Sequence, residues 1–567
     1  MRTLALRTFD LALALGLKIK ATRAFTAGDA LSQGAPRPSG RLEVVLVTAP
    51  PAFSPSTFAR THPDRPAVIT SSGRSVTFAE MEARSCQLAQ ALYAYGLRPG
   101  DHVAVVALND HHTLDIAWAL MRSGLHLTFV NTHLAADEAA YVANDCGARV
   151  LIVSAALDPL IAELAALTPD FDLRLAVGGP APDGYRSYDD FVAGHASIPL
   201  DEELEGALML YSSGTTGRPK GILRALSGQP FGSDGVLVPM LQGIMGFNEG
   251  DVYLNPAPLY HASPLAWSMT AQRLGGTVVV MERFDPDECL RLIEEHHVSH
   301  AQFVPTMFVR LLKLPEDARR ARDVSSLRAV LHAAAPCPPE VKRRMIEWWG
   351  PIIEEFYAGT EGGGMTWINS QQALAHPGSV GPAIWGEIHV CDDEGNDLPA
   401  GEDGVIWFGG TPNAFEYHND PVKTKETINE RGWTTLWDVG HLDDEGYLYL
   451  TDRKTFMIVS GGVNIYPQEV ENVLVMHPAV ADVAVIGVPD PDMGEQVKAV
   501  VQPAAGAVPD AALAEELLAY CRDNLSRYKC PRTLDFSEAL PRGENGKLYK
   551  KQLRATYSAE PSPASGR

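Results

Sequence analysis

Residues 211–221 read Tyr-Ser-Ser-Gly-Thr-Thr-Gly-Arg-Pro-Lys-Gly. Hydroxyl side chains of Ser212, Ser213, Thr215 and Thr216 alternate with Gly214 and Gly217, and the run ends at Lys220-Gly221. Such a loop can wrap a polyphosphate. Glycines let backbone N–H groups approach the oxygens, hydroxyls add donors, and the lysine adds charge. The same residue types also make ordinary polar surface turns. The apolar run 207–210 just before it reads as a short buried strand. The spacing G-x-x-x-x-G-K-[ST] is absent, which disfavours an ordinary P-loop NTPase.

Apolar runs alternate with helical patterns along most of the chain: 102–108 with 112–123, 149–154 with 157–166, 278–281 with 286–296, and 329–332 with 339–349. That alternation predicts an α/β fold of largely parallel sheets covered by helices. Residues 378–450 change texture, with short strands at 387–391 and 405–409 between turns at Asp393-Glu394-Gly395 and Glu445-Gly446. This stretch predicts a β-barrel subdomain.

The chain has 567 residues and a net charge of −23. The acidic balance disfavours nucleic acid as a partner, since phosphate backbones need a basic face. Seven cysteines with no C-x-x-C pair predict a reducing, cytoplasmic setting and no disulfide framework. No apolar run is long enough to span a bilayer. Residues 1–50 carry more Arg and Lys than acids. Asp10 interrupts their apolar stretch and no small-residue cleavage site follows, so a disordered extension or an upstream start is expected rather than a signal peptide. The tail 558–567, rich in Ser, Pro and Ala, is expected to be disordered.

Several further motifs stand out. They are Pro258-Leu259-Tyr260-His261-Ala262, Tyr357-Ala358-Gly359-Thr360-Glu361, Trp437-Asp438, Thr451-Asp452-Arg453-Lys454, Ser460-Gly461-Gly462-Val463-Asn464, and the run from Pro541 through Gly546 to Lys547. Together with the loop at 211–221 they occur in the order found in adenylate-forming enzymes: acyl-CoA synthetases, peptide-synthetase adenylation domains and luciferases. The chain resembles that superfamily from about Phe53 to Leu553, and within it most resembles bacterial acyl-CoA synthetases of fatty or bulky cyclic acids.

The resemblance implies two α/β subdomains and a β-barrel subdomain in a large N-terminal region, 51–451. A hinge at 452–455 and a small mobile α+β lid at 456–557 would follow. It implies ATP and coenzyme A as co-substrates, Mg²⁺ as cofactor and acyl-AMP as intermediate. Ser212, Ser213, Gly214, Thr215, Thr216 and Lys220 would bind phosphate, with Thr216 and Glu361 on the metal. Mg²⁺ is a hard ion that prefers oxygen ligands. Thr360 would donate to the α-phosphate and Tyr357 would stack on adenine. Asp438 would accept from both ribose hydroxyls, a task that suits the two oxygens of a carboxylate. Arg453 would hold ribose and phosphate. Lys547 would bridge acid and α-phosphate in the transition state. Gly461 and Gly462 would border the pantetheine tunnel, with Arg527, Tyr528 and Lys529 near the CoA nucleotide. His261 would sit where acyl pocket and tunnel meet. Small residues at 333–335 and 362–364 imply room for a bulky hydrophobic acid: fatty, steroid or terpenoid.

Two departures matter. The family usually has Gly before the ribose-binding aspartate, where this chain has Trp437. That indole either packs away or obstructs ATP. Under the second outcome the chain thioesterifies a preformed adenylate supplied by a separate adenylating enzyme. Thr455 replaces the usual Lys or Asp of the hinge. Other readings use a carrier-protein thiol or oxygen as acceptor, or make the chain a non-catalytic nucleotide-binding protein. Homodimerisation is compatible with all of them.

Overall fold

The structure is a computed structural model that describes residues 53–558, apart from 213–218, 234, 412–414, 454–455, 462 and 543–547. The expectations for both termini, for Ser213, Gly214, Thr215, Thr216, Gly462 and Lys547, and for Thr455 fall outside the described residues. So do the side chains of Ser212 and Arg453.

Two α/β sheets form the bulk of the large N-terminal domain. The six-stranded sheet runs Arg186–Ser187, Leu173–Val177, Ala148–Ser154, His102–Val106, His126–Phe129, Ala207–Leu208, and every pairing in it is parallel. The nine-stranded sheet has a parallel centre from Ile353–Ala358 through Pro66–Thr70 and antiparallel strands at its edges. Both cores are built from strands that are apolar on both faces, as parallel sheets covered by helices require. The helix expected over 112–123 is His111–Arg122, started by Asp110, whose carboxylate accepts from the His112 and Thr113 amides. The pattern at 157–166 is divided into a short turn, Ala155–Leu157, and a helix, Leu160–Leu167. Pro159 lies between them, and its missing N–H stops one continuous helix.

The β-rich subdomain is a five-stranded antiparallel sheet: Ser379–Gly381, Leu448–Arg453, Thr434–Leu442, Gly404–Gly409, Glu387–Cys391. The small C-terminal domain is a sheet of Val463–Ile465, Ile458–Ser460, Gly494–Pro503 and Val480–Asp490, with Thr533–Phe536 beside Gly494–Pro503. It has its own apolar core under helices Pro467–Leu474 and Ala511–Asn524. All seven cysteines are free and buried. Among the described residues no helix is long and apolar enough to cross a membrane.

Candidate functional site

Residues 213–218 lie in sequence between two antiparallel strands, Leu210–Ser212 and Lys220–Arg224, with Lys220 opposite Ser212. Strand Phe415–Tyr417 pairs on the other side of Lys220–Arg224. The apolar run before the loop is thus two short strands rather than one, with fully buried Met209 between them. Tyr211 ties the hairpin to helix Ala136–Asp145 by donating its hydroxyl to Asp145 Oδ2 at 2.6 Å. The Lys220 ammonium is ion-paired with Asp420. That carboxylate also accepts from the Lys423 amide at 2.9 Å and so caps helix Pro421–Thr427. Lys220 is the main cause holding the Asp420 carboxyl below its ordinary range.

Strand Ile353–Ala358 delivers the next group. Tyr357 donates its hydroxyl to Asp438 Oδ2 at 2.7 Å, joining the two residues expected at adenine and ribose. Asp438 is cross-strand partner to Arg453, which places the two expected ribose contacts on neighbouring strands. Beyond the strand, Glu361 Oε1 accepts from the Tyr417 hydroxyl at 2.8 Å, and the Thr360 carbonyl accepts from Arg224 Nη2 at 2.9 Å. Through Tyr417 and Arg224 the Thr360–Glu361 turn is tied to the same three-stranded sheet that carries the phosphate loop. Two residues before Tyr357 on the same strand, Glu355 is buried against Lys342, with fully buried His332 beside it.

Asp438 is aimed by an irregularity in its strand. Val405 pairs with Val439 but Trp407 with Thr435, so Thr434–Leu442 holds two extra residues between those pairs. Within that bulge Leu436 meets Gly359: a Cβ there would fall 2.5 Å from Leu436 Cδ2. Trp437 has φ +61°, left-handed backbone that a bulky residue rarely adopts. This explains why glycine suits the position: it demands the conformation itself, beyond any need for space. The indole packs edge-on against Trp407 with centroids 6.1 Å apart and lies 5.8 Å beneath the Lys423 ammonium. Its Nε1 is buried and has no hydrogen-bond partner among the described residues.

These contacts set the expected result of Trp437→Gly. Left-handed backbone costs a non-glycine residue roughly 1–2 kcal/mol, and the lost aromatic pair is worth about 0.5–1.5 kcal/mol. The two offset, so thermal stability shifts by less than about 1 kcal/mol. Because the indole is docked on Trp407, adenylation also stays within about threefold, a change of less than 1 kcal/mol in barrier. A selective tenfold gain in pyrophosphate release would show that the indole obstructs ATP.

His261 occupies the N-cap of helix Ala262–Arg273, its ring 4.4 Å from that of Tyr260. The preceding turn is pinned by Asn109, which accepts from the Leu259 amide at 2.6 Å and donates to the carbonyls of Ala257 and Met281. The helix packs Trp267 against Phe356 and Trp367, on the strands that frame the Thr360–Glu361 turn. The reading of 362–364 as room for an acid is corrected at two positions. A Cβ on Gly363 would lie 2.0 Å from Thr434 Oγ1, and one on Gly364 2.0 Å from the Phe408 ring. These residues are small because the β-rich subdomain presses on them. In the other small-residue run, Ala334 has φ +75° and Ala333 is buried.

In the C-terminal domain Gly461 turns the hairpin Ile458–Ser460/Val463–Ile465 at φ +57° and donates its amide to the Met493 carbonyl at 2.8 Å. It borders a cavity of about 160 Å³ lined also by Ser460, Met493, Arg527 and half-exposed Tyr528, which brings Gly461, Arg527 and Tyr528 of the expected CoA side together. Lys529 is instead ion-paired with Glu469. A side chain at Gly461 would sit 2.3 Å from Met493 Cε. Gly461→Val is therefore expected to destabilise this domain by about 1–3 kcal/mol. Thermal unfolding checks this, and any loss of CoA use must be read against it. On either side of residues 543–547, which include Lys547, Arg542 bridges Leu548 and the Tyr549 amide donates to the Pro541 carbonyl. The Tyr549 hydroxyl is held above its ordinary pKa by burial, and secondarily by Glu138.

Glu361 fits Mg²⁺, an ion usually held by one or two carboxylates together with substrate phosphates. Arg224, Asp420, Tyr417 and Asn109 were not legible as site residues: each is a single polar residue outside any motif.

A family model described as AMP-binding enzyme matches residues 56–418, and one described as AMP-binding enzyme C-terminal domain matches 469–547. A protein named feruloyl-CoA synthase from an Amycolatopsis species is 35% identical over 490 residues, covering 86% of this chain and 94% of that one. The long-chain-fatty-acid–CoA ligase FadD13 of Mycobacterium tuberculosis is 31% identical over 493 residues, covering 85% and 93%. The structure of o-succinylbenzoate CoA synthetase from Bacillus subtilis in complex with its acyl-adenylate superposes with a TM-score of 0.75 at 29% identity, covering 90% and 99%.

Proposed function

Because this chain belongs to the AMP-binding enzyme family, we propose that it is an AMP-forming acid–thiol ligase: a carboxylic acid and ATP give acyl-AMP and pyrophosphate, and coenzyme A then gives the thioester and AMP. The observation that carries this reading is the convergence of Tyr357–Asp438 and Glu361–Tyr417 beside the hairpin that bears the phosphate loop. Adenylation joins an anionic acid to an anionic phosphate, so it needs cations and oriented donors where charge develops.

The roles are those that the resemblance to adenylate-forming enzymes implies. The hydroxyls and amides of 212–216 cradle the phosphates, and Lys220 adds charge when it exchanges Asp420 for them. Asp438, steadied by Tyr357, takes the ribose hydroxyls with Arg453 beside it. Glu361 and Thr216 would hold Mg²⁺, which would supply positive charge beside the phosphates. Thr360 orients the α-phosphate and Lys547 spans it and the acid. The second step uses the Gly461–Tyr528 face of the C-terminal domain, with His261 at the mouth of the acyl site.

The acid is hydrophobic. Trp267, Phe356 and Trp367 pack on one another as an apolar cluster beside the Thr360–Glu361 turn, with Trp267 and Trp367 buried. The relatives' names make aryl acids and fatty acids the first to try. Steroid and terpenoid acids lose the support that the glycines at 363 and 364 had lent them. The test is a panel of aryl, fatty, steroid and terpenoid acids with ATP and CoA, read by mass spectrometry. A hydrophobic acid converted well above acetate supports the reading. Preference for acetate or a dicarboxylate overturns the substrate class.

A further inference from the structure

We propose that Asn255 and Gln302 form a buried polar subsite that hydrogen-bonds a hydroxyl on the tail of the acid, so that the preferred substrate is a hydroxylated hydrophobic acid. The inference deepens the substrate reading above and rests on it. Asn255 ends strand Val252–Asn255, and Gln302 lies on the neighbouring strand, His300–Phe303. Tyr253 pairs with His300 and Leu254 with Ala301, and the same register sets Asn255 beside Gln302. The two side chains share a face of the sheet, because alternate residues of a strand do. It is the face on which Tyr253 joins the apolar cluster of Trp267 and Trp367, whereas Leu254, Ala301 and Phe303 join the cluster on the other side.

Helix Ala262–Arg273 covers this face. Its Ser263 hydroxyl oxygen accepts from Gln302 Nε2, and one turn further on Trp267 packs against Phe356 and Trp367. Residues four apart lie on one side of a helix, so the amide pair and the aromatic cluster sit under the same helix face, behind His261 at the N-cap. Asn255 Nδ2 donates to the Ala257 carbonyl at 2.8 Å, in the turn that leads to His261. Asn255 is 0% exposed and Gln302 4%. Asn255 Oδ1 and Gln302 Oε1 are buried and have no hydrogen-bond partner among the described residues. Leaving such oxygens unpaired is costly, and a donor brought by a ligand removes that cost. The aromatic surroundings disfavour a charged donor, so the group must be small and neutral. A hydroxyl meets both demands, and it serves either orientation of the Gln302 amide because it both donates and accepts.

The test measures kcat/KM with ATP, Mg²⁺ and CoA for two matched pairs: para-hydroxycinnamic against cinnamic acid, and ω-hydroxydodecanoic against dodecanoic acid. The natural protein is expected to favour the hydroxylated member of one pair by about tenfold or more, and the pair that shows this separates an aryl tail from an aliphatic one. Gln302→Met, of similar length and without the amide, is expected to bring that ratio within about threefold of one. A loss that strikes both members alike and leaves the ratio intact would make Gln302 purely structural and overturn the assignment. So would a natural protein with no preference in either pair, a result that depends on no variant folding. Equilibrium binding of the same acids to the natural protein and to Gln302→Met gives the ratio without turnover. If no acid is converted, the ligase reading fails, and the binding ratio alone decides the subsite.

Discussion

Lys547→Ala lowers acyl-adenylate formation about 10²–10³-fold, the scale for one contact made as charge develops. It leaves conversion of supplied acyl-adenylate to acyl-CoA intact. The ammonium is needed only while negative charge builds between acid and α-phosphate, which has already passed once the adenylate exists. The flanking residues Arg542 and Leu548 are held by bonds that the substitution does not touch. Folding should therefore be unaffected, and a near-natural unfolding temperature is the control. Pyrophosphate release measures the first step and acyl-CoA appearance from acyl-adenylate the second. Equal loss in both would reject the role.

Glu361→Gln should lower ATP-dependent turnover by about 10²-fold and raise the magnesium concentration needed for half-maximal rate. The structure makes this a clean substitution. Glutamine keeps an oxygen that can accept from Tyr417, so the tie between the 359–362 turn and strand Phe415–Tyr417 survives while the charge is removed. The Tyr417→Phe variant is the complement: it keeps the charge, loses the tie, and should cost only about 1 kcal/mol of stability or positioning. A magnesium titration of pyrophosphate release separates the two. Unchanged magnesium dependence in Glu361→Gln would place the metal elsewhere.

What could be read from the sequence was whatever a local pattern encodes. Parallel strands announce themselves as apolar runs, and Asp110 and Pro159 act on the backbone within a few residues of themselves, although only the structure showed that Pro159 divides 157–166. The Ser-, Thr- and Gly-rich segment 211–221 suggests phosphate binding by composition. Contacts across long stretches of chain leave no such mark. Tyr357 and Asp438 were each identified through the family motifs, but their bond spans 81 residues and appears only in the fold. Lys220 meets Asp420 across 200 residues, and nothing local distinguishes Asp420 from any other helix cap. Glycine misled most, because its smallness has several causes. At 363 and 364 it admits Thr434 and Phe408 rather than a ligand, and at the position of Trp437 the underlying demand is left-handed backbone.

The most direct test of the account is a pair of assays on the natural protein, one with hydrophobic acid, ATP, Mg²⁺ and CoA, the other with the corresponding acyl-adenylate and CoA. Each is read by mass spectrometry. The account predicts acyl-CoA from both, with AMP and pyrophosphate released in equal amounts in the first. Acyl-CoA from the adenylate alone would make the chain a thioesterifying partner of another enzyme. Acyl-CoA from neither would contradict the ligase assignment.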